Sequence, residues 1–220
     1  MLNEFFRKVT LFSQMTDDQL DLVANITQRK QYTPSTVLFR ENEPGNAFYI
    51  VYSGSVKIFT THNGEEKILS VLKAGESFGE LSLIDGKNRS ASAATLETSI
   101  LISLSAANFL DLLRNHFDIN LSILRELCQR LRDTNQHVND LTFLDARTRI
   151  LKNLIQMANK YGTREGTTIL IRMVLNYDEL CQMSNVQKPV LMQVLRDFQE
   201  KKILTMGMGD MRLDLSKLRQ

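Results

Sequence analysis

Turn-forming residues recur about every ten positions between residues 30 and 105, at Pro44-Gly45, Gly54, Asn63-Gly64, Gly75 and Asp85-Gly86. The segments between them are short alternations of apolar and polar residues. The Asn63-Gly64 pair between "VKIFTT" and "EKILSVL" is a strong signal for a two-residue hairpin turn. Short strands joined by such regular turns predict a compact antiparallel roll or barrel.

Helical patterns flank this predicted roll. Residues 2–28 favour short helices, one of them capped by Thr16-Asp17-Asp18. After Ala106 no glycine occurs until Gly162, which is typical of long helices. Within this stretch, apolar residues at steps of three and four form a heptad seam, namely Leu124, Leu127, Leu131, Val138 and Leu141.

The seam predicts a helix that pairs with a second copy of the chain. The alternative is that it packs against its own domain. Thr134 falls in register and interrupts the apolar positions, as a polar residue that sets coiled-coil register does. "TFLDART" then resembles a hinge, with Asp145 as the N-cap of a helix that Gly162 ends.

Residues 176–204 have the outline of a helix-turn-helix. Two short amphipathic runs are joined by Ser184-Asn185-Val186, where Asn185 suits a left-handed turn, and Pro189 suits the first turn of the second helix. "ILTMGMGDMRLDL" then predicts a hairpin, in effect a wing. Any pair of antiparallel helices in a small domain could share this outline, so the pattern alone leaves DNA binding as one of two interpretations.

Charge favours the DNA-binding interpretation. From Ala146 onward the chain has 13 Lys and Arg against 7 Asp and Glu, whereas the part before it has 14 against 18. On the second helix, glutamine can pair with adenine, lysine can reach guanine and Arg196 suits a phosphate. The groove-facing candidates are Gln187, Lys188, Val190, Gln193 and Arg196.

Composition excludes several other classes. Hydrophobic content of 43% and charged content of 24% are those of an ordinary globular protein, with no apolar run of the about 20 residues that cross a bilayer. The start "MLNEFFRKVTLFSQM" lacks the apolar stretch of a secretion signal, so we expect a cytoplasmic protein without a membrane partner. The two cysteines and three histidines show no ligand spacing, and no nucleophile–base pair is visible, so we expect no metal and no enzyme activity.

The stretch "GELSLIDGKNRSASA" at 79–93 predicts a ligand pocket. Arg89, Ser90 and the small Ala91 supply a cation, a hydroxyl and accessible backbone N–H groups for a phosphate. Glu80 offers an acceptor for a sugar hydroxyl, and Gly79 lets a ligand approach the backbone. The alternative is a surface ion pair across a turn, and Arg89 and Glu80 could also pair with each other in an empty pocket.

"FGELSLIDGKNRSASA" resembles the phosphate-binding cassette of cyclic-nucleotide-binding domains, with the outline FGE-L…R-[ST]-A. The cassette, the long helix and the helix-turn-helix stand in the order found in the cyclic-AMP receptor protein / fumarate-nitrate regulator family of bacterial transcription factors. The resemblance covers nearly the whole chain. It implies an α+β fold with an N-terminal antiparallel β-roll over 1–105, a long dimerisation helix and hinge over 106–145, and a C-terminal winged helix-turn-helix over 146–220.

The resemblance also implies roles for single residues. Gly79 and Glu80 would hold the ribose, and Arg89 and Ser90 the cyclic phosphate. Arg130 would join Glu80 and the ligand, Thr134 would meet the base, and Asn135 of the partner subunit would close the site. The same resemblance adds Leu72, Phe78 and Ala91 to the ligand contacts and Asn176 to the DNA contacts.

The implied function is a homodimeric regulator that binds cyclic AMP as an allosteric effector and double-stranded DNA as its partner, with no cofactor. RNA polymerase is a further candidate partner, through 146–162 and 159–168. Asn135 stands where the enteric member of the family has serine, so cyclic GMP is not excluded as effector. The alternatives are the same fold responding to another effector or to none, and a regulatory subunit that controls an enzyme.

Overall fold

The computed structural model describes residues 2–172, 176–207 and 209–219. Its contacts divide the chain into two compact units, 1–133 and 134–220. Of the wing hairpin expected at Gly207–Asp210, only Met208 lies outside the described residues. Among the described residues, no helix is long and apolar enough to cross a membrane.

The first unit starts with short helices, α1 (Leu2–Phe6), a 3-10 turn (Thr10–Phe12) and α2 (Asp17–Asn25). Thr16 caps α2 through a complete capping box, in which its hydroxyl accepts from the Gln19 amide and the Gln19 side chain accepts from the Thr16 amide. Most apolar side chains of these helices, among them Phe6, Phe12 and Leu20, are buried in one core with residues of β3, β8 and the helices that follow the roll, whereas Leu22 is exposed.

Eight strands form the roll. They are β1 (Gln28–Tyr32), β2 (Val37–Phe39), β3 (Ala47–Ser53), β4 (Ser55–His62), β5 (Glu65–Lys73), β6 (Ser77–Phe78), β7 (Ser92–Thr95) and β8 (Ser99–Ser105). They make two four-stranded antiparallel sheets in the orders β1-β8-β3-β6 and β2-β7-β4-β5. The predicted antiparallel β-roll is therefore confirmed.

The β4–β5 hairpin closes at Asn63-Gly64, as the sequence predicts. Asn63 and Gly64 both have positive φ, 52° and 83°, and His62 pairs with Glu65 on either side of them. One face of the roll packs an inner core that includes Val51, Val56 and Leu101. The turns thus place the residues of the cassette at the end of the short strand β6.

Three helices complete the first unit and lead out of it. They are α3 (Leu81–Ile84), α4 (Ala106–Asn115) and the 27-residue α5 (Phe117–Phe143). Ile119 and Ile123 at the start of α5 are buried in the same core as α1 and α2. The glycine-free stretch after Ala106 forms three helices: His116 adopts an extended backbone conformation between α4 and α5, and Asp145 does so before the next helix begins at Ala146.

The seam on α5 differs from the heptad read from the sequence. Leu127 is partly buried and packs against the core of the first unit, so it does not lie on the free face of the helix. Four exposed apolar residues recur at steps of seven instead, at Phe117, Leu124, Leu131 and Val138, while the exposed Phe143 at the end of the helix falls outside this spacing. Sequence periodicity could not separate these two stripes, because both have helical spacing.

The second unit holds α6 (Ala146–Tyr161), α7 (Tyr177–Ser184) and α8 (Lys188–Glu200) with four strands, β9 (Gly162–Glu165), β10 (Thr168–Arg172), β11 (Leu204–Met206) and β12 (Asp210–Asp214). The strands form one antiparallel sheet in the order β11-β12-β10-β9. Asp145 caps α6 by accepting from the Thr148 amide, as predicted. The hairpin of β11 and β12 follows the helix-turn-helix, which completes the predicted winged arrangement.

Candidate functional site

The cassette begins at a turn that only glycine fits. Gly79 follows β6 with φ of +85°, and a Cβ there would lie 2.8 Å from Nη1 of Arg89 and 3.3 Å from the carbonyl oxygen of Ala47. A side chain at this position would meet both a strained backbone conformation and the arginine. The turn therefore depends on the absence of a side chain before any ligand arrives.

Arg89 is buried although it carries a charge, with a relative exposure of 3%. Its Nη1 donates to the Gly79 carbonyl at 2.6 Å and to the Ser82 hydroxyl at 2.9 Å, and its Nη2 donates to the Ala47 carbonyl at 2.7 Å. Burial lowers the pKa of the guanidinium, while the nearby Tyr49 and Glu80 act in the opposite direction. At neutral pH the group nevertheless stays a cation, as arginine does in proteins.

An aromatic stack supports this guanidinium. Its Cζ lies 4.1 Å from the centre of the Phe39 ring. Phe39 contacts Tyr49 and Phe78, whose own rings stack at 5.3 Å. A guanidinium over an aromatic face is stabilised by the ring quadrupole, so the stack fixes the plane in which the charge lies.

Glu80 is the second buried charge, with a relative exposure of 4%. Its Oε1 accepts from Nη1 of Arg130 at 2.8 Å, while Oε2 is buried and has no hydrogen-bond partner among the described residues. Burial raises the pKa of this carboxyl, against the opposing charge of Arg130. An orphaned acceptor at this depth is costly, so it marks a place where a donor from outside the chain would fit.

Arg130 reaches the cassette from α5. Besides Glu80, it donates to the Ser77 carbonyl and pairs with Glu126 one turn earlier on the helix. Burial acts to lower the pKa of Arg130, but the carboxylates of Glu80 and Glu126 outweigh it, so the net shift is upward. The arginine is therefore held between two carboxylates and remains charged.

The suggested pairing of Arg89 with Glu80 is not what the structure has. Glu80 pairs with Arg130, and the hydrogen bonds of Arg89 within the described chain go to two carbonyls and one hydroxyl. Arg130, 50 residues from Glu80 along the chain, is the partner that the family resemblance implied.

The remaining predicted ligand residues are spread over different environments. Leu72 and Phe78 belong to the inner core of the roll, and Ala91 is buried at 9% exposure. Ser90 is exposed next to Arg89. Thr134 and Asn135 are exposed on α5 within the second unit, and Thr134 follows Arg130 by one helical turn. Their contacts with a ligand stay a prediction.

Sequence reasoning missed three groups that shape this pocket, the Ser82 hydroxyl, the Phe39 ring and the Ala47 carbonyl. Each contacts the guanidinium of Arg89 from a different element of the roll. Ser82 lies inside the quoted cassette and could have been singled out as a buried hydroxyl. Phe39 and Ala47 carry no local signal, because their roles exist only once the strands are packed.

In the second unit, the helix-turn-helix has the predicted turn. Asn185 has φ of 51° and ψ of 54°, the left-handed conformation, and ends α7. Gln187 makes no side-chain cap for α8, and Pro189 lies in its first turn. The apolar side of α8, Leu191, Leu195 and Phe198, is buried, which leaves its polar side outward.

Most of the predicted DNA-contact residues are exposed on α8. Gln187, Lys188, Gln193 and Arg196 are exposed, as is Val190 at 37%. Lys188 pairs with Asp178 of α7 at 2.9 Å. Asn176 is the N-cap of α7, where its side-chain oxygen accepts from the Glu179 amide and so is already engaged. Their contacts with DNA also stay predictions.

A further residue, Arg149, was missed by the sequence analysis. Its guanidinium donates to the carbonyls of Leu144, Ser184 and Asn185 at 2.8, 3.0 and 3.1 Å. It therefore satisfies carbonyls at the end of α7 and at the segment between α5 and α6 together. Among the described residues of the chain, no group of three or more His, Cys, Asp or Glu side chains could hold a metal ion.

Comparison with known proteins agrees with this geometry. Residues 29–116 match the cyclic nucleotide-binding domain family. A relative from Thermus thermophilus, named cyclic AMP receptor protein, is 30% identical over 200 residues, which are 90% of this chain and 89% of the relative. The CRP-like cAMP-activated global transcriptional regulator of Mycobacterium tuberculosis is 29% identical over 198 residues, 90% of this chain and 88% of that protein.

The fold is also that of solved regulators. The c-di-GMP responsive global regulator CLP of Xanthomonas campestris superposes with a TM-score of 0.76 over 90% of this chain and 99% of its own, at 23% identity. The Mycobacterium tuberculosis relative is named as a transcriptional regulator. With its β-roll, its long helix, its winged helix-turn-helix and this degree of identity over nearly its whole length, the chain belongs to the cyclic-AMP receptor protein / fumarate-nitrate regulator family of bacterial transcription factors.

Proposed function

We propose that this protein is a homodimeric, DNA-binding transcription regulator whose effector is cyclic AMP. The observation that carries the proposal is a pair of buried atoms in the cassette, Oε2 of Glu80 and Nε of Arg89. Neither atom has a hydrogen-bond partner among the described residues. One is an acceptor and the other a donor on a cation. A ribose hydroxyl and a cyclic phosphate on the same ligand would satisfy both.

The choice of adenine rests on the relatives and on the residues expected at the base. Two relatives of about 30% identity are named as cyclic-AMP-dependent regulators. Thr134 and Asn135 are the side chains that would meet the base, and the Asn135 amide can both donate and accept. Guanine offers edges that such an amide can also read, so cyclic GMP is the second candidate effector.

The exposed apolar stripe on α5 supports the dimer. Phe117, Leu124, Leu131 and Val138 are between 54% and 76% exposed in the single chain. A stripe with a period of seven on a 27-residue helix fits a second copy of the same helix in a two-stranded coiled coil. In such a pair, Asn135 of one chain would close the pocket of the other.

DNA binding would use α8 in the major groove. Gln187, Lys188 and Gln193 would meet base edges near the start and middle of the helix, and Arg196 a phosphate. Two copies related by a two-fold axis would read half-sites about one helical turn apart. Contact with RNA polymerase through α6 and the β9–β10 hairpin remains a prediction of the family resemblance.

The effector would act by shifting a population. If cyclic AMP binds more tightly to the state whose recognition helices match the operator, binding of each ligand raises the affinity for the other by the same factor. Arg130 and Glu80 are the groups through which the occupied pocket would act on α5, since each already bonds the other.

The test is a calorimetric titration of the purified protein with cyclic AMP, cyclic GMP and cyclic di-GMP, beside an Arg89→Leu variant. We expect micromolar or tighter binding of cyclic AMP that the variant loses. Tighter binding of cyclic GMP would make it the effector and Asn135 the specificity residue. No heat with any of the three would refute the proposed effector.

A further inference from the structure

The hydroxyl of Ser82 lies behind the phosphate-binding arginine. Ser82 is in α3, is buried at 6% exposure, and accepts a hydrogen bond from Nη1 of Arg89 at 2.9 Å. Leu81 and Ile84 of the same short helix are exposed, whereas Leu83 is buried like Ser82, so α3 turns the serine and one apolar side chain inward. The sequence resemblance gives Ser82 no role.

The site of Ser82 in the roll depends on a glycine at another position, Gly45. A Cβ built on Gly45 would lie 2.2 Å from Oγ and 2.8 Å from Cβ of Ser82. Contacts that short do not occur, so residue 45 has to lack a side chain where Ser82 is present. The hydroxyl thus occupies a fitted site between the β2–β3 loop and the cassette.

The hydrogens of the guanidinium can be followed one by one. Both hydrogens of Nη1 are engaged, with the Gly79 carbonyl and the Ser82 hydroxyl. One hydrogen of Nη2 is engaged with the Ala47 carbonyl, and Nε has no partner among the described residues. The donors left over among the described residues are Nε and one hydrogen of Nη2, and in a guanidinium the Nε hydrogen and an Nη2 hydrogen form one edge of the fork.

That edge is the one that binds two oxygens of a phosphate or carboxylate side by side. The Phe39 ring fixes the plane of the guanidinium, at 4.1 Å from its Cζ. Within that plane, the three acceptors, namely the Gly79 and Ala47 carbonyls and the Ser82 hydroxyl, fix the rotation of the guanidinium. Without Ser82, one Nη1 hydrogen would lose its acceptor and could turn toward the ligand, in competition with the Nε edge.

We propose that Ser82 is a positioning residue for the effector. Its hydroxyl occupies the second Nη1 hydrogen of Arg89 and thereby presents the Nε–Nη2 edge to the cyclic phosphate. This inference rests on the proposed function, since it assumes that the pocket takes a cyclic nucleotide. It predicts that Ser82 determines the preference of the protein between ligands altered at one or the other exocyclic phosphate oxygen.

The experiment compares Ser82→Ala with Ser92→Ala. Ser92 is a matched control, because it is buried at 4% exposure in the same roll and its hydroxyl accepts from the Glu41 amide at 2.9 Å. Each variant is titrated with cyclic AMP and with the two diastereomers of adenosine 3′,5′-cyclic phosphorothioate, in which sulfur replaces one or the other exocyclic oxygen. Thermal melting of both variants measures the structural cost.

We expect Ser82→Ala to bind cyclic AMP about tenfold more weakly, because the released guanidinium has to be reoriented on binding, at a cost similar to that of one hydrogen bond to a charged group. We also expect its preference between the two diastereomers to shrink toward equality. Ser92→Ala should keep the affinity and the preference of the wild type, even where its melting temperature falls as much. Wild-type affinity and wild-type preference in Ser82→Ala would overturn the proposal.

A second measurement separates this proposal from the proposed function. In the ligand-free protein, nitrogen-15 NMR of the Arg89 side chain reports rotation about the Cζ–Nη1 bond, which should be faster in Ser82→Ala than in Ser92→Ala. If the wild type binds no cyclic nucleotide, the proposed function fails, while equal rotation rates in the two variants would show that Ser82 does not position the arginine.

Discussion

Arg130 of α5 donates a hydrogen bond to the buried carboxylate of Glu80 at 2.8 Å, from 50 residues further along the chain. The pair joins the turn after β6 to the long helix by a charge-assisted bond rather than by apolar packing alone. Glu80 uses one oxygen for this bond and leaves the other without a partner in the described chain. The same carboxylate can therefore serve the helix and a ligand at once.

Arg130→Met should leave Glu80 as a buried charge without its cation. Breaking a fully buried pair costs about 3–5 kcal/mol, but Arg130 is 36% exposed and water reaches it, so we expect the first unit to lose about 2 kcal/mol of unfolding free energy. Denaturant unfolding followed by circular dichroism measures this loss. Arg125→Met, at an exposed arginine of the same helix, should change little, and equal losses in the two variants would contradict the role given to the pair.

Effector binding should weaken in mild acid because of Glu80. Burial raises the pKa of this carboxyl, so it takes up a proton at a higher pH than an ordinary glutamate does. The ionised form pairs with Arg130 as a full charge and accepts a ribose hydroxyl through Oε2 more strongly than the neutral form does, so affinity should fall as the pH drops through the raised pKa. Calorimetry over a pH series should show this fall in the wild type and a flat profile in Glu80→Gln.

The stability of the ligand-free protein should change with pH in the direction opposite to that of effector affinity. Because the native state holds the Glu80 proton more tightly than the unfolded chain does, the contribution of Glu80 to stability is largest at low pH and is lost as the pH rises through the raised pKa. Parallel pH profiles of melting temperature in the wild type and in Glu80→Gln would mean that this carboxyl does not titrate as described.

Gly79→Ala should disable the pocket more than its backbone strain alone can explain. The new Cβ would lie 2.8 Å from Nη1 of Arg89, so the guanidinium would have to move. Gly86→Ala is the control, because Gly86 also has positive φ, +71°, yet has nothing within 4 Å of a built Cβ. We expect both variants to lose about 1 kcal/mol from strain. Calorimetry should show that only Gly79→Ala loses cyclic-AMP binding by tenfold or more.

Arg149→Met should loosen the helix-turn-helix. The variant leaves the carbonyls of Leu144, Ser184 and Asn185 without their shared donor, and hydrogen bonds to a charged group are worth about 1.5–3 kcal/mol each. We expect a lower melting temperature of the second unit and at least tenfold weaker DNA binding at unchanged effector affinity. Arg212→Met, at an exposed arginine 3.7 Å from Glu165, should retain wild-type behaviour. Full DNA affinity in Arg149→Met would show that the three bonds are dispensable.

Substitution of two exposed residues of α8 should weaken DNA binding in two different ways. Gln193→Ala should weaken binding to a selected operator by about tenfold and leave non-specific binding unchanged, because a base contact carries about 1–3 kcal/mol of discrimination. Arg196→Ala should weaken both kinds of binding and lower the slope of log affinity against log salt by about one, as expected for a lost phosphate contact. Fluorescence anisotropy with an operator recovered from random duplexes measures both. The opposite pattern would exchange the two assignments.

Features that depend on local chemistry were predictable from the sequence. Asn63-Gly64 has to turn because both residues tolerate positive φ, and Asn185 ends α7 for the same reason. Asp145 caps α6 through a bond to a residue only three positions away. The cassette residues Gly79, Glu80 and Arg89 lie close along the chain, with only α3 and the turn after it between Glu80 and Arg89.

Features that depend on tertiary packing were not predictable in this way. Leu127 has the spacing of the dimer seam but packs on the core of its own unit. The Ala47 carbonyl and the Phe39 ring that hold Arg89 are on other elements, and Arg130 as the partner of Glu80 was implied by the family resemblance rather than by any local pattern. Arg149 is one of 13 basic residues after Ala146, and nothing in its neighbours marks it as the one that joins two helix ends.

Some atoms of the cassette bind the protein itself and others are left for a ligand, and this separation has an evolutionary consequence. Gly79 and Nη1 of Arg89 are engaged with the protein itself, whereas Oε2 of Glu80 and Nε of Arg89 have no partner in the described chain. Selection for folding and selection for the effector therefore act on different atoms of one short motif. In a descendant that no longer met its effector, only these two atoms would lose their role, so Gly79, Arg89 and the bond between Glu80 and Arg130 would persist as structural remnants of a lost sensor.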